Sequence, residues 1–131
     1  MKKLRIFIDM DGVIADFDKA KKLLPENKQG RPDLYVDYLY LDYIQGAEEA
    51  VEYLNKHHEV FIASTPPWSR IQCWADKRAW LERWFPDLKR KLILTHRKDL
   101  LIGDVLIDDS RYRGQPDFKG HWFWFNKDWE N

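Results

Sequence analysis

Apolar residues follow two rhythms along the chain: short unbroken runs, and longer stretches where they recur every three or four positions. Leu4 to Ile8, "EVFIAST" (Glu59 to Thr65), "KLIL" (Lys91 to Leu94), "DVLID" (Asp104 to Asp108) and "HWFWF" (His121 to Phe125) are of the first kind and predict five strands. "GAEEAVEYLNKHH" sets Ala47, Ala50, Val51 and Leu54 at helical spacing, with Glu48 and Glu49 suited to its N-terminal end and His57 and His58 to its C-terminal end. Ser69 to Phe85 predicts a second helix, with Ile71, Trp74, Leu81, Trp84 and Phe85 near one face and Pro86 as its stop. "KDLLIG" reads as a short helix closed by Gly103.

Strands alternating with helices predict an α/β fold, a doubly wound parallel five-stranded sheet with right-handed crossovers. Only residues 16–45 break the rhythm; this stretch is polar, then Tyr-rich, and reads as a small cap inserted into a single domain spanning residues 1–131. Phe17, Tyr35, Tyr38, Tyr40, Tyr43 and Trp68 belong to that cap or to the mouth beneath it, most as the cap's own core and one or two as platforms for a nucleobase. The aromatics of "HWFWF" alternate across their strand, so both faces of that strand are expected to be covered.

Charge and composition narrow the partners. Lys plus Arg and Asp plus Glu balance at 22 each, which argues against a broad basic face for nucleic-acid backbone while leaving room for a small anionic ligand. The single cysteine, Cys73, excludes an internal disulfide and reads as a small buried hydrophobe on the second helix. The start mimics a signal peptide for eight residues until Asp9 breaks the apolar stretch, and no segment approaches transmembrane length. A cytoplasmic protein is expected.

The chemistry gathers at strand ends. In open parallel sheets, ligands bind beyond the carboxyl ends of the strands. Asp9-Met10-Asp11-Gly12, Ser64-Thr65, Lys98 and Asp108-Asp109 all fall there. Carboxylates brought so close repel by about 4 kcal/mol per pair at 4 Å and an effective dielectric constant of 20, so a positive partner is required. An all-oxygen cluster suits Mg²⁺, and Lys98 supplies a second positive charge. Asp9, at the end of a rigid strand, is placed to attack phosphorus, and Asp11 to protonate the leaving oxygen and then activate water. Gly12 lets the turn bend sharply and brings backbone amides near a phosphate, Ser64 offers a hydrogen bond to a phosphoryl oxygen, and Thr65 is either a second phosphate contact or a cap before the prolines. Asp16 and Asp18 read as a helix cap and a solvated charge. Arg70 is a further candidate for a phosphate or base contact.

"DMDGV", "ST", the isolated lysine and "IDD" resemble the four motifs of haloacid dehalogenase-superfamily phosphatases. The longer stretches "DMDGVIADF", "GAEEAVEYL", "VFIASTP" and "LLIGDVLIDD" more specifically resemble the 5'(3')-deoxyribonucleotidases, over nearly the whole chain apart from the insert. The resemblance implies strand order 5-4-1-2-3 and Mg²⁺-dependent hydrolysis of (deoxy)nucleoside monophosphates through an aspartyl-phosphate. It implies Asp9 as nucleophile, Asp11 as acid and base, Ser64 as phosphate ligand and Lys98 as charge stabiliser. Asp9, the Asp11 backbone carbonyl and Asp108 would hold the metal, with Asp109 in support. Two features depart from the family: the insert is shorter than its helical cap, and His96 stands where an arginine is expected near the phosphate, with Arg97 as a substitute.

Two alternatives follow from the same residues. A phosphatase for another small phosphate, or for a nucleic-acid 3' end, fits a mouth left open by a short cap. A non-catalytic phosphate-binding module would keep the fold without needing Asp9, Asp11, Lys98 and Asp108 together. The Tyr-rich insert is also a candidate surface for a homodimer that closes the site.

Overall fold

A computed structural model describes residues 2–126 and Trp129. Five strands, β1 (Arg5–Ile8), β2 (Glu59–Ser64), β3 (Leu92–Leu94), β4 (Val105–Asp108) and β5 (His121–Trp124), form one sheet in the order β3-β2-β1-β4-β5, every neighbouring pair parallel. This is the expected order, read from the opposite edge. Ile8 pairs with Ile62 on one side and Ile107 on the other, so β1, β2 and β4 run out at the same edge. The Asp9 amide adds one more rung, donating to the Ile107 carbonyl at 2.8 Å. That register alone sets Asp9 beside Asp108.

Period-two alternation divides the core. Ile6 and Ile8 face a cluster with Val51, Val60, Ile62, Trp80 and Leu81, while Phe7 faces the opposite side with Ala63, Leu101, Leu106 and Phe118. The helices α3 (Ala47–His57) and α4 (Ile71–Trp84) supply the first cluster. On the second face the crossovers are single 3₁₀ turns, Lys98–Leu100 and Gln115–Asp117, flanking the buried Leu101 and Phe118; the helix expected in "KDLLIG" is the first of these turns.

Two predicted faces differ from those observed. In α4 the buried residues are Cys73, Lys77, Trp80 and Leu81, whereas Ile71 is 86% exposed and Trp74 and Trp84 are only half-buried. The true stripe contains a lysine, and reading around it turns the predicted face by less than one residue's rotation, so that Leu81 is common to both. In β5, Phe123 and Trp124 are about half exposed and only Phe125, just past the strand, is buried. An edge strand has one neighbour, and here its faces are not both covered.

The insert leaves the domain and returns at one point. Ala15 bridges Tyr43 antiparallel, with the Asp16 amide donating to the Asp42 carbonyl at 2.7 Å and the Ile44 amide to the Ile14 carbonyl at 2.8 Å. Between these lie α1 (Phe17–Lys22), α2 (Pro32–Tyr35) and two 3₁₀ turns. Asp16 caps α1 by accepting from the Lys19 amide, and Asp18 pairs with Lys22 in solvent. Of the insert's tyrosines, Tyr38 is buried and stacked on Phe17 at 5.8 Å, while Tyr35 and Tyr40 are exposed. Arg70 clamps the insert by donating to the Asp33 and Val36 carbonyls, and the Trp80 indole donates to the Leu41 carbonyl at 2.7 Å. No helix among the described residues is long and apolar enough to cross a membrane.

Candidate active site

Lys98 opens the turn after β3 and is buried, with its Nζ donating to Asp9 Oδ1 at 2.8 Å and to Asp108 Oδ2 at 2.5 Å. Burial alone would pull the Lys98 ammonium down, but the two carboxylates outweigh it and hold its pKa above the ordinary lysine value. Asp109 adds a third carboxylate, so that oxygens of Asp9, Asp108 and Asp109 lie within 4.8 Å of one another. Burial, then the charge of Asp9, pushes Asp108 up to about 6 from an ordinary 3.8; Asp109, the exposed member of the set, is raised as well, by partial desolvation of its carboxyl and by Asp9. One lysine does not neutralise three acids. An all-oxygen set with excess negative charge fits a hard divalent cation.

Asp11 lies two residues further, just before the turn at Gly12, in a different environment. Its Oδ2 accepts from Lys77 Nζ at 2.6 Å, and the same ammonium donates to Ser64 Oγ at 2.9 Å. Asp11 Oδ1 is buried and has no hydrogen-bond partner. Burial raises the Asp11 carboxyl above its ordinary range, against the pull of Lys77. The site thus holds four carboxylates and two buried ammonium groups.

Gly12 makes possible the turn that follows the two aspartates. Its φ is +82°, and a Cβ added there would stand 2.0 Å from Asp109 Oδ2. Gly12→Ala is expected to cost about 1–3 kcal/mol from backbone strain and to displace Asp109. Thermal unfolding checks this, and an unchanged melting temperature contradicts it.

The remaining candidates are tied up in structure. The Thr65 hydroxyl donates to the Thr95 carbonyl at 2.8 Å, fastening the end of β2 to that of β3. Arg97 forks onto Asp99 at 2.9 and 2.6 Å. His96 Nε2 donates to the Pro66 carbonyl at 2.9 Å, and its ring packs against Trp68 and Trp74. Trp68 is 80% exposed beside it. Trp122 and Trp124 stack at 5.2 Å and donate through their indole nitrogens to the Asp108 and Asp109 carbonyls, bracing the acidic loop from β5.

Lys77 is the residue the sequence reading missed. One signal was available: Cys73, Lys77, Trp80, Leu81 and Trp84 fall at helical spacing with the lysine inside the apolar stripe.

A parallel sheet in this order, with an Asp-x-Asp turn after β1, a lysine after β3 and paired aspartates after β4, defines a haloacid dehalogenase-type hydrolase domain. Residues 28–125 match the family model described as "5' nucleotidase, deoxy (Pyrimidine), cytosolic type C protein"; the match begins past Asp9 and Asp11 and includes Ser64, Lys77, Lys98, Asp108 and Asp109. A protein of Vibrio phage KVP40, assigned provisionally as a 5'(3')-deoxyribonucleotidase, is 36% identical over 129 residues, covering 94% of this chain and 76% of the relative. The human cytosolic-type 5'(3')-deoxyribonucleotidase is 30% identical over 152 residues, covering 88% and 76%, and the human mitochondrial enzyme is 30% identical over 154 residues, covering 91% and 65%. The chain belongs to this nucleotidase family, within the haloacid dehalogenase superfamily, and is a phosphoric monoester hydrolase.

Proposed function

We propose that the chain is a Mg²⁺-dependent 5'(3')-deoxyribonucleotidase that hydrolyses (deoxy)nucleoside monophosphates through a phosphate ester of Asp9. The observation that carries this reading is the separation of two neighbouring aspartates into unlike settings. Asp9 sits in the acid cluster with Lys98, whereas Asp11 has a raised pKa, a lysine of its own and one free buried oxygen. Two carboxylates in contrasting environments are what nucleophile and acid require of one site.

Asp9 attacks phosphorus as the bond to the nucleoside oxygen breaks, and Asp11 gives that oxygen its proton. Asp11 then takes a proton from water, the resulting hydroxide attacks phosphorus, and the bond to Asp9 breaks to release phosphate. Lys98 and the Ser64 hydroxyl offset charge on the phosphoryl oxygens, and the Gly12 turn brings backbone amides toward them. Asp9, Asp108 and the Asp11 carbonyl would hold Mg²⁺, with Asp109 in support; the ion would supply charge neutralisation for the cluster and the phosphoryl group. Trp68, beside His96, offers a face for a nucleobase, worth about 1–3 kcal/mol if stacked.

The insert acts as a reduced cap within the single domain. Alignment with the human cytosolic enzyme runs over 152 positions, more than this chain's 131 residues, so that enzyme carries segments this chain lacks; the phage relative aligns over 129.

Phosphate release across 3'- and 5'-nucleoside monophosphates and common sugar phosphates tests the proposal. Turnover of deoxynucleotides that stops with EDTA and returns with Mg²⁺ is expected. Turnover confined to sugar phosphates contradicts the substrate, and turnover indifferent to EDTA contradicts the metal.

A further inference from the structure

Helix α4 buries an ammonium where an apolar side chain would pack. Lys77 is 0% exposed, among Cys73, Trp80 and Leu81 on the same face. Lysines are almost never fully buried unless paired, because taking the charge out of water costs free energy that only well-placed partners recover. Lys77 has three: Asp11 Oδ2 at 2.6 Å, Ser64 Oγ at 2.9 Å and the Tyr38 ring, whose centroid is 4.8 Å away.

Each contact has a consequence for the groups it touches. With Oδ2 held by Lys77, the Asp11 carboxyl is fixed in one rotation and the oxygen left over is the unpartnered Oδ1. A serine oxygen that accepts from an ammonium keeps its own hydrogen free to donate elsewhere. Lys77 therefore leaves one oxygen of Asp11 and the hydroxyl hydrogen of Ser64 uncommitted together. Tyr38 comes from the insert, so the seating of the cap and the orientation of Asp11 share one ammonium.

We propose that Lys77 is a positioning residue for hydrolysis: it aims the free oxygen of Asp11 at the leaving-group oxygen and the Ser64 hydroxyl at the phosphoryl group. This rests on the phosphatase reading above. It assigns Lys77 no contact with substrate, and its effect passes through Asp11 and Ser64.

The test compares Lys77→Met, Asp11→Asn and the double variant on a deoxynucleoside monophosphate and on p-nitrophenyl phosphate, whose leaving group departs without a proton. Lys77→Met is expected to slow release of the leaving group in a single turnover, before the hydrolysis step that both substrates share, by on the order of 10²-fold with the nucleotide, the range for loss of general acid catalysis, and by under ~10-fold with the aryl ester. The double variant is expected to be slower on the nucleotide than Asp11→Asn alone by no more than the loss Lys77→Met shows on the aryl ester, the part that passes through Ser64, because the part that passes through Asp11 is already gone. Circular dichroism and thermal melting establish that each variant is folded; if Lys77→Met is not, Lys77→Leu, which also lacks a donor, is read by the same criteria. Equal losses on both substrates, or losses that multiply in the double variant, overturn the proposal and leave Lys77 as packing. A wild-type chain that turns over neither ester removes the phosphatase reading itself, an outcome distinct from wild-type turnover with indifferent Lys77 variants.

Discussion

Asp9→Asn is expected to lower phosphate release by on the order of 10³-fold or more without unfolding the protein. Asparagine keeps the size of aspartate and an oxygen that accepts from Lys98, now at 2.8 Å from Asp9 Oδ1. It does not provide a carboxylate to attack phosphorus. The substitution also removes one of three acids whose oxygens lie within 4.8 Å, so repulsion on Asp108 and Asp109 falls. The melting temperature without metal is therefore expected to hold or rise while activity is lost. Steady-state phosphate release and thermal melting measure the two effects separately; substantial residual turnover in a folded variant contradicts the role given to Asp9.

Lys98→Met is expected to damage stability as well as activity. Lys98 is 2% exposed in its side chain, and its partners Asp9 and Asp108 are 10% and 0% exposed. Removing one member of a buried ion pair costs about 3–5 kcal/mol, because the charges left behind have neither water nor a counterion. Against a total stability of about 5–15 kcal/mol for a typical domain, that is a large fraction. Urea unfolding in EDTA reads it as a lower midpoint, and a midpoint equal to wild type contradicts the assignment of Lys98 as the cluster's counterion. The same experiment has a pH signature. In the metal-free wild type, Asp108 titrates at about 6 when folded, above its ordinary 3.8, and Asp109 is raised as well. The folded state thus binds more protons than the unfolded chain, and stability falls as pH rises from about 4 to 6. Without Lys98 the fall is expected to be steeper.

The outline of the site was legible because its parts are local. An apolar run ending in Asp9-Met10-Asp11-Gly12 states both a strand and its abrupt end, and the in-register parallel sheet carries Asp108 to the same edge. Asp16 was readable as a cap because capping acts over three residues. Lys77 was not readable in this way. Its partners stand 66 and 13 positions away, and a lone lysine within an apolar stripe is ordinarily a reason to rotate the stripe. The misplaced face of α4 and the missed lysine are one error, made twice. The aromatics of β5 misled for another reason: alternation says which residues share a face, and an edge position decides whether that face is covered. Arg97 and Thr65 looked available by residue type, and their hydrogen bonds to Asp99 and Thr95 appear only once the loops are folded.

The central claim, hydrolysis through a phosphate ester of Asp9, is tested most directly by acid-quenching a single turnover of a deoxynucleoside monophosphate labelled at phosphorus. The account predicts label bound to the protein at times shorter than one turnover, recovered on the peptide containing Asp9 and absent from Asp9→Asn. Label passing straight into free phosphate, with none on the protein at any time in a folded and active chain, would contradict it.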